Sequence, residues 1–592
     1  MINPVSPALL RWHGQQCRSA NFDDIYFSAD GPNEVARVFH TPVALGERFA
    51  ATQDSFTCAE LGFGSGLSFA ATAELFWHHN RGRDHTRLHY ISIEAAPFSA
   101  ADRARICEQF GAQLPILLEF DEAAPALLGG WHRVLLRDGR ICLSLYHGPV
   151  DEAIRDLDAR QQRGVDHWLL DGFSPSHNPD MWRGELLEQV ADLSAPNGSV
   201  ATFTAAGQVR RDLTSAGYDM QRIDQQPHKR HSLIGHLRPD RGRRFQPPSA
   251  IDVVGGGIAG ASVAAALAQR GRRVRVFEPS GRTQGASRVP AASLHGRLLA
   301  DGSLTADWQL ASFHFSHRAL LHRRGYRASG VIQRIAPNTD AERIAALLAR
   351  YAASGDWLYR ASSGDLHYRI GGVVRGALLC RTLLDHPCIE MKRTRFTPFS
   401  AGSAPTRPTV LAAGHAVRDW SPLGFLELGS MMGQAELCSH PNPPSQPIVH
   451  DGYIAPYTNG PNGGVVIGST YEYRPWSRAQ ATAENLARWP EHGNHRGAFR
   501  AHRAITSDRL PIVGVVQRAD GAVIDKLWLS TGYGSTGMTA APLAGEVIAS
   551  IICGELPPIS HALETLLQGN RFHDRQRRRG TRLDAIMDQP ET

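Results

Sequence analysis

Residues 251–278 read IDVVGGGIAGASVAAALAQRGRRVRVFE: a strand pattern, a glycine loop, a helical stretch and a second strand pattern that ends at Glu278. In the loop, Gly255 permits a tight turn, Gly257 lets the backbone approach a pyrophosphate, and Gly260 allows the helix to pack closely on the strand. The helix N-terminus favours phosphate charge, and a carboxylate such as Glu278 can bind ribose hydroxyls. The stretch therefore predicts a dinucleotide-binding unit, with a ligand-free fold of the same type as the alternative.

A second glycine-rich segment, Leu527–Pro542 (LWLSTGYGSTGMTAAP), returns near the end of the chain as a strand, a loop and a helix. A long insertion separates it from the single dinucleotide unit of this half. The arrangement is typical of flavin oxidases related to glycine oxidase and D-amino-acid oxidase, so FAD rather than NAD is expected. Loop N–H groups around Gly532, Gly534 and Gly537 would face the flavin and stabilise its reduced, negative form.

A different glycine loop lies in the first half of the chain. The sequence ELGFGSG starts at Glu60, follows a strand pattern and places glycines at Gly62, Gly64 and Gly66. Glycine tolerates positive φ and lets backbone approach a ligand, and Glu94 ends the next strand, where a carboxylate can bind ribose hydroxyls. Because S-adenosylmethionine carries no phosphate, a wide loop suits its ribose and amino-acid groups. The alternative is an ordinary turn with Glu94 at the surface.

The strand patterns around this loop predict an α/β sheet. The expected strands are Phe56–Leu61, Leu88–Glu94, Val165–Leu170, Ser199–Thr204 and, closing the sheet, Ser232–Leu237. Asp171 follows the third strand, and open parallel sheets bind ligands beyond their carboxyl ends. Its carboxylate could orient an acceptor amine and receive its proton during methyl transfer, or could bond its own turn. Asp180 is interpreted as a helix N-cap.

Several segments of the first half resemble the methyltransferase half of the MnmC family, in the same order along the chain. They are DDIYFS (Asp23–Ser28), ELGFGSGLSF (Glu60–Phe69), ISIEAAPF (Ile91–Phe98), LLDGFSPSHNPDMW (Leu169–Trp182) and ATFTAAGQVRRDLTSAGY (Ala201–Tyr218). The resemblance implies S-adenosylmethionine-dependent methylation of 5-aminomethyl-2-thiouridine at the tRNA wobble position. It also implies that Asp171 is the acid of the LDGF motif.

The second half resembles the oxidase half of the same family through GGGIAG, QGAS, DGY, TSDRLPIVG and GYGSTGMTAAPLAGE. Residues His450–Glu472 and Ala501–Gly514 also resemble the substrate side of glycine and D-amino-acid oxidases, which implies that Tyr453 and Arg503 bind a carboxylate. Core packing of Tyr453 and a salt bridge from Arg503 to Asp508 are the alternatives. The family's GN-x-QG pattern after GAS is replaced here by RVPAASLHG, which leaves the local flavin contacts open.

The amino-acid composition argues against several other classes of protein. The 592 residues carry eight scattered cysteines without a CxxC pair, which predicts neither a zinc site nor a redox dithiol and fits a reducing cytoplasm. No signal-peptide pattern or long apolar run is present, so no membrane span is expected. The formal net charge of +6 permits nucleic-acid binding. Arginine supplies most of the positive charge, which suits phosphate contacts and is equally explained by a coding bias.

Three basic clusters are candidates for contact with tRNA phosphates: His228–His231, Arg238–Arg244 and Arg571–Arg582. The alternative for each is a solvated surface or tail. Trp182 and Phe173 flank the predicted methyl-transfer site, where they could stack on a wobble base splayed from the anticodon loop or could pack in the core.

Together these features predict an α/β chain with a Rossmann-like methyltransferase sheet in residues 1–238, a linker at 239–250 and an FAD-dependent oxidoreductase in residues 251–592. FAD is expected to bind residues 251–300 and 500–560, around an α+β substrate subdomain. The resemblance implies removal of the carboxymethyl group from 5-carboxymethylaminomethyl-2-thiouridine, followed by N-methylation of the amine. No metal is expected, and a monomer is favoured while the oligomeric state stays open. The alternatives are a fused oxidase and methyltransferase for free amines or amino acids, and a tRNA-binding protein with an inactive oxidase domain.

Overall fold

A computed structural model shows one largely parallel α/β sheet in each half of the chain, with a larger and a smaller companion sheet in the second half. The structure describes residues 2–28, 30–83, 85–227, 231–281, 283–336, 341–351, 354–397, 404–420, 423–457, 463–474, 476–518 and 522–580. Within these ranges no helix is both long and apolar enough to cross a bilayer. The predicted α/β class of both halves is confirmed.

The first half contains ten strands and eight α-helices among its described residues. The strands are β1 (Leu10–His13), β2 (Gln16–Ser19), β3 (Ser55–Leu61), β4 (Arg87–Glu94), β5 (Gly130–Leu136), β6 (Ile141–His147), β7 (Val165–Leu170), β8 (Ser194–Thr202), β9 (Tyr218–Asp224) and β10 (His231–Leu237). The helices are α1 (Gly31–Val35), α2 (Leu45–Ala51), α3 (Leu67–Asn80), α4 (Ala100–Phe110), α5 (Ile116–Ala123), α6 (Val150–Arg160), α7 (Gly184–Leu193) and α8 (Gly207–Ser215).

Eight of these strands form one sheet in the order β5-β6-β4-β3-β7-β8-β10-β9. The central strands β6, β4, β3, β7 and β8 are parallel, and their residues are largely buried because the sheet carries a hydrophobic core on each face. From β3 the chain builds outward through β4 and β6, and later adds β7 and β8 on the other side. The strand order reverses between β3 and β7, and sheets of this kind bind ligands beyond the strand ends at that point.

The edges of the first sheet differ from the prediction. Ser232–Leu237 lies in the sheet as part of β10, but it does not close the sheet, because β9 pairs along its outer side. Strand β9 is mostly exposed, so its sequence YDMQRID lacks the alternating apolar pattern that marks a half-buried strand. The antiparallel pair of β5 and β6 at the other edge is a further addition to the predicted sheet.

The second half contains seventeen strands and eight α-helices among its described residues. The strands are β11 (Ala250–Val254), β12 (Arg273–Phe277), β13 (Ala292–Leu294), β14 (Tyr326–Ala328), β15 (Val331–Gln333), β16 (Leu358–Arg360), β17 (Leu366–Tyr368), β18 (Gly372–Val374), β19 (Ile389–Lys392), β20 (Thr409–Leu411), β21 (Leu428–Ser439), β22 (Ile448–His450), β23 (Gly452–Tyr457), β24 (Gly464–Gly468), β25 (His495–Thr506), β26 (Ile512–Gln517) and β27 (Val523–Thr531). The helices are α9 (Ile258–Ala268), α10 (Leu304–Leu320), α11 (Ala341–Tyr351), α12 (Gly376–Leu384), α13 (Arg478–Ala487), α14 (Gly537–Cys553), α15 (His561–Leu567) and α16 (Arg571–Arg578).

The second parallel sheet has the order β19-β12-β11-β20-β27-β26. Strand β11 is central, with β12 and β19 on one side and β20 and β27 on the other, so a second switch point lies between β11 and β20. Helix α14 follows β27 and packs on α9. The packing needs glycine at Gly545, because a Cβ there would lie 2.6 Å from the carbonyl carbon of Ser262. The early and late glycine loops are thereby brought to the same end of one sheet.

The insertion between these two parts contains two further sheets and several helices, and its role as a substrate subdomain stays a prediction. Its larger sheet has the order β16-β17-β15-β22-β23-β24-β21-β25, and its smaller sheet has the order β13-β18-β14. Strands β23 and β24 pair in antiparallel fashion in the segment that carries Tyr453. Arg503 lies on β25, which pairs with β21.

The two halves of the chain meet over a buried group of ion pairs. Arg270, which follows α9, contacts Glu546 and Glu555 at 2.6 and 2.8 Å, and Arg133 of β5 contacts Glu546 at 2.9 Å. Arg87 of β4 lies 3.7 Å from Glu546. None of these five residues is more than 3% exposed. Because Arg87 and Arg133 come from the first half and the glutamates from the second, these charges join the halves directly.

Arginine side chains hold the segment between the two parallel sheets against the first half. Arg241 pairs with Asp192 at 2.9 Å. Arg243 pairs with Asp158 and donates a hydrogen bond to the carbonyl oxygen of Asp192. These contacts use two cations of the basic cluster Arg238–Arg244 within the chain itself.

Candidate functional sites

The glycine loop predicted to contact S-adenosylmethionine follows the carboxyl end of β3. Gly62, Gly64 and Gly66 have φ values of 98°, 49° and 78°, in the left-handed region that favours glycine. A Cβ on Gly62 would lie 3.2 Å from the carbonyl oxygen of Asp171. The loop therefore runs beside the end of β7, at the switch point of the first sheet.

Glu94 ends β4 and faces this loop. Its carboxylate accepts hydrogen bonds from the backbone N–H groups of Gly64 at 2.7 Å and Ala96 at 2.9 Å. Burial raises the pKa of the Glu94 carboxyl, and these N–H groups oppose that rise. Each carboxylate oxygen has more than one acceptor position, so Glu94 can also accept hydrogen bonds from ribose hydroxyls.

A small cavity opens beside the loop. Its walls are mainly apolar and include Phe63, Pro97, Phe98, Phe120 and Leu145. His147 and Arg103 add polar groups to the lining. A mostly apolar cleft with a few polar groups is typical of a site for a small molecule.

Asp171 lies at the carboxyl end of β7, opposite the glycine loop. The hydroxyl of Ser68 in the first turn of α3 donates a hydrogen bond to Oδ2 of Asp171 at 2.7 Å. The aspartate is partly exposed. A carboxylate held in this way can accept a hydrogen bond from an amine and then its proton. Ser68 was not singled out from the sequence, because its partner lies in a distant segment.

Aromatic rings form a wall close to Asp171. Phe173 stacks on Phe22 with ring centroids 4.7 Å apart, and it meets the ring of Tyr26 at 5.1 Å. Trp182 is buried and donates its indole N–H to the carbonyl oxygen of Phe173 at 2.8 Å. Trp182 therefore packs and supports this loop, while Phe173 stays partly exposed.

Two acidic residues near this site, Asp180 and Glu60, do not have the surroundings that their predicted roles as a helix cap and a donor ligand would suggest. Asp180 lies within the 3₁₀ turn Pro179–Trp182, and α7 begins only at Gly184, so the prediction that Asp180 caps a helix is wrong. Glu60 is 1% exposed and accepts a hydrogen bond from Ser92 at 2.8 Å. Burial, reinforced by the nearby charge of Asp171, raises the pKa of Glu60. Direct contact of Glu60 with a methyl donor stays a prediction.

The glycines after β11 occupy positions where a side chain would not fit. Gly255 has a φ of 113°, and a Cβ on Gly260 would lie 1.9 Å from the carbonyl oxygen of Gly255. Gly257 is the N-cap of α9 and brings no side chain to the first N–H groups of the helix. Glu278 accepts a hydrogen bond from the N–H of Gly256 at 3.1 Å. The close backbone, the open helix start and the carboxylate fit the pyrophosphate and ribose of FAD.

The late glycine loop reaches the same place from the other side of the switch point. Gly532 and Gly534 have φ values of 79° and 55°. Gly537 begins α14, and a Cβ on it would lie 3.6 Å from Cγ2 of Ile258, the first residue of α9. The two segments predicted to bind FAD therefore lie next to each other.

Arg503 projects from β25 toward the segment that follows β24. Its guanidinium donates hydrogen bonds to Oγ of Ser469 at 2.7 Å and to the carbonyl oxygen of Thr470 at 3.4 Å. It also lies 5.1 Å from the ring centre of Tyr471. Asp508 pairs instead with Arg571 at 2.8 Å, so the alternative salt bridge to Arg503 is not formed. No carboxylate of the described residues pairs with this guanidinium.

Tyr453 lies on β23, close enough to Arg503 for the two side chains to interact electrostatically. Its hydroxyl donates a hydrogen bond to the carbonyl oxygen of Ala291 at 3.0 Å. Burial raises the pKa of Tyr453, and the positive charge of Arg503 opposes that rise. Tyr453 nevertheless keeps part of its surface exposed. The structure therefore brings together the two residues predicted to bind a carboxylate.

Comparison with known proteins decides the family. Family models match the chain as an S-adenosyl-L-methionine-dependent methyltransferase over residues 116–238 and as an FAD dependent oxidoreductase over residues 251–551. The tRNA 5-methylaminomethyl-2-thiouridine biosynthesis bifunctional protein MnmC of Chromobacterium violaceum is 33% identical, over 96% of this chain and 97% of that protein. Its counterpart in Stutzerimonas stutzeri is 31% identical, over 95% of this chain and 96% of that protein. The chain belongs to the MnmC family.

The MnmC assignment confirms both predicted activities and both cofactors: an S-adenosylmethionine-dependent methyltransferase precedes an FAD-dependent oxidoreductase. A crystal structure of glycine oxidase from Geobacillus kaustophilus also matches, with a TM-score of 0.45 and 18% identity, over 55% of this chain and 99% of that chain.

The segment that departs from the MnmC pattern after GAS connects the two sides of the oxidase site. Ser287, which precedes it, accepts a hydrogen bond at Oγ from the N–H of Ile258 at 2.9 Å, at the start of α9. Further along, Ala291 accepts the hydrogen bond from Tyr453, and residues 292–294 pair with β18. The altered segment therefore links the predicted FAD loop with the predicted substrate residues.

The basic clusters of this MnmC-family chain are partly used within the chain. Arg571 pairs with Asp508, and Arg575 pairs with Glu427 at 3.1 Å. Residues 228–230 of the first cluster, and residues 581 and 582 of the last, lie outside the described residues. In the described part of the chain, no group of histidine, cysteine and acidic residues is arranged to hold a metal.

Proposed function

We propose that the chain modifies the wobble uridine of tRNA in two successive reactions in the cytoplasm. The oxidase half would remove the carboxymethyl group from 5-carboxymethylaminomethyl-2-thiouridine, and the methyltransferase half would then methylate the primary amine. The main support is the similarity over nearly the full chain to relatives named as tRNA 5-methylaminomethyl-2-thiouridine biosynthesis bifunctional proteins. Each proposed site also lies at the switch point of its own sheet, where such sheets bind ligands.

In the oxidase half, Arg503 binds the carboxylate at the end of the substrate side chain. A guanidinium without a carboxylate partner in the described part of the protein can form two parallel hydrogen bonds to it. The O–H of Tyr453 can donate a further one if it turns away from the carbonyl oxygen of Ala291. Bound FAD would supply the two-electron oxidation of the secondary amine, after which water cleaves the C–N bond to give a primary amine and glyoxylate. Arg503 and Tyr453 fix the glycyl carbon in place, while Gly255, Gly257 and Glu278 hold the cofactor.

In the methyltransferase half, Asp171 orients the primary amine and takes up a proton as the C–N bond to the methyl group forms. The amine must present its lone pair to the sulfonium methyl, and its positive charge develops as the sulfur leaves as a neutral thioether. A carboxylate fixed by Ser68 stabilises that charge without reorganising. Phe173 can stack on the target base, and Glu94 with the loop from Gly62 to Gly66 holds the donor.

The decisive experiment uses tRNA whose wobble uridine carries the carboxymethylaminomethyl group. Incubation without S-adenosylmethionine should convert that nucleoside to 5-aminomethyl-2-thiouridine and release one glyoxylate per tRNA. Addition of S-adenosylmethionine should yield 5-methylaminomethyl-2-thiouridine, which nucleoside mass spectrometry identifies. An unchanged tRNA together with turnover of free glycine or sarcosine would overturn the proposal and favour an enzyme for small amines.

A further inference from the structure

A second, small cavity lies at the junction of the two halves and is separate from both sites described above. Trp131 and His132 of β5 form its wall on the methyltransferase side. His314 and Arg318 of α10 and Leu543 of α14 face it from the oxidase side. His314 and Arg318 are four residues apart on one helix, so their side chains project from the same face.

The guanidinium of Arg318 lines this cavity without an acidic partner among the described residues. Its Nε is buried and has no hydrogen-bond partner, and the same holds for Nε2 of His314. Burial without a compensating carboxylate lowers the pKa of Arg318 to about 10. The Arg318 side chain as a whole is partly exposed, and an anion close to the guanidinium would favour its charged form.

The polar groups around the cavity favour a single negative charge. His132, Arg133, His314 and Arg318 are its ionisable lining residues, and no aspartate or glutamate is among them. Arg133 is already paired with Glu546. Burial keeps the pKa of His132 and of His314 well below its ordinary value, so both rings are neutral at pH 7. The uncompensated charge of the cavity is therefore that of Arg318.

We propose that this junction cavity binds a small monocarboxylate, with the carboxylate on the guanidinium of Arg318 and the short carbon chain against Trp131, Leu310 and Leu543. A planar guanidinium matches a carboxylate with two parallel hydrogen bonds, which a spherical halide cannot reproduce. The apolar walls suit a carbon chain and disfavour a multiply charged anion such as phosphate.

The junction cavity is separated from the methyl-donor pocket by one pair of histidines. The carbonyl oxygen of Leu128 is hydrogen-bonded to Nε2 of His132 at 2.7 Å and to Nδ1 of His147 at 3.0 Å. The two imidazole rings lie 4.7 Å apart. His147 lines the first cavity and His132 lines the second, so a carboxylate at Arg318 lies next to the donor site without entering it.

Isothermal titration with acetate tests the proposal on the full chain loaded with FAD and saturated with S-adenosylhomocysteine, which keeps the donor pocket filled. We expect one acetate site that binds at least about tenfold more weakly in Arg318→Gln, because a charged hydrogen-bond partner is lost. Acetate bound at Arg503 would be a second, separate site. Arg324→Gln is the matched control, since Arg324 is exposed near the same helix end. Arg503→Gln should keep the Arg318-dependent site and lose only acetate bound at position 503.

Three results would overturn the proposal: no acetate binding, loss of binding in Arg503→Gln but not in Arg318→Gln, or chloride binding as tightly as acetate at equal ionic strength. Flavin absorbance and the unfolding midpoint report whether Arg318→Gln folds. If Arg318→Gln fails to fold, acetate binding is measured on Arg318→Lys instead, because lysine keeps the positive charge but lacks the planar guanidinium. Acetate binding by that variant at wild-type affinity would contradict the proposed geometry. The test does not use tRNA, so its outcome is independent of the proposed function.

Discussion

At the scale of single residues, Asp171 is the group on which methyl transfer should depend most. Replacement Asp171→Asn keeps the size of the side chain and an oxygen that can accept the hydrogen bond of Ser68, but removes the proton acceptor. We expect the rate of methylation to fall about 100-fold or more, as for loss of a general base. Single-turnover formation of 5-methylaminomethyl-2-thiouridine measures the change.

The matched control for this change is Asp180→Asn, an exposed aspartate of the adjacent 3₁₀ turn. It should methylate at close to the wild-type rate, and both variants should still release glyoxylate normally. Equal losses in the two variants would mean that the segment is needed for folding or tRNA contact and that Asp171 has no special part in proton transfer.

Arg503 should determine how well the oxidase half binds a carboxylated substrate. Loss of its hydrogen bonds in Arg503→Gln is expected to lower kcat/KM about 10- to 100-fold, from about 1.5–3 kcal/mol per charged contact. Arg503→Lys keeps the charge without the planar fork and should recover only part of this loss. Steady-state glyoxylate release measures both, and the exposed Arg509→Gln serves as control. Wild-type kinetics in Arg503→Gln would show that Arg503 does not bind the substrate carboxylate.

The residues of the sites could be predicted where the chemistry needs a particular residue at a fixed distance along the chain. Gly255, Gly260 and Glu278 belong to one continuous β-α-β unit, so their geometry follows from local sequence. The contact of Ser68 with Asp171 joins segments that are far apart in sequence, and no local pattern indicates it. The same applies to Asp508 in the turn after β25, whose partner Arg571 lies on α16 and not on β25.

At the scale of elements, strongly apolar or glycine-marked segments could be predicted and polar ones could not. Strand β7 has the predicted bounds because its residues are nearly all buried. Strand β9 was not predicted from the sequence, because an exposed edge strand needs no alternation of apolar and polar residues. The start of α7 was predicted too early, next to Asp180. The proline at the beginning of the 3₁₀ turn Pro179–Trp182 has the same sequence pattern as the beginning of a longer helix, but α7 begins at Gly184.

The segment between the two parallel sheets gives a prediction about tRNA binding. Arg241 and Arg243 are occupied by aspartates of the first half, so they should contribute little to phosphate contacts. The double variant Arg241→Gln/Arg243→Gln should keep the wild-type slope of log Kd for tRNA against log salt concentration, while its unfolding midpoint falls. A slope smaller by about one unit or more would show that these arginines do release counterions from tRNA. Filter binding at several salt concentrations measures the slope.

At the scale of the whole molecule, the buried charges at the junction make stability depend on pH. Burial alone would raise the pKa of Glu546, but the guanidiniums of Arg270 and Arg133 outweigh it and hold the pKa at about 2. A carboxyl with a lowered folded-state pKa stabilises the protein above its unfolded-state value, here 4.5, and loses that stabilisation as the pH falls toward 2. The stability difference between wild type and Glu546→Gln should therefore shrink over this interval. Denaturant unfolding at several pH values measures it, and a constant difference would contradict the assignment.

The same charges should make the two catalytic halves unfold together. Glu546→Gln leaves Arg270 and Arg133 with less compensating charge in a buried site, a change that costs about 3–5 kcal/mol for broken buried pairs. Because the arginines come from both halves, flavin release and loss of methyltransferase activity should shift to lower temperature by the same amount. Glu564→Gln is the control, since Glu564 also joins the halves, through Arg160 at 2.9 Å, but lies in a partly exposed position. A shift in flavin release alone, with methylation lost at the wild-type temperature, would show that the halves unfold independently despite their shared ion pairs.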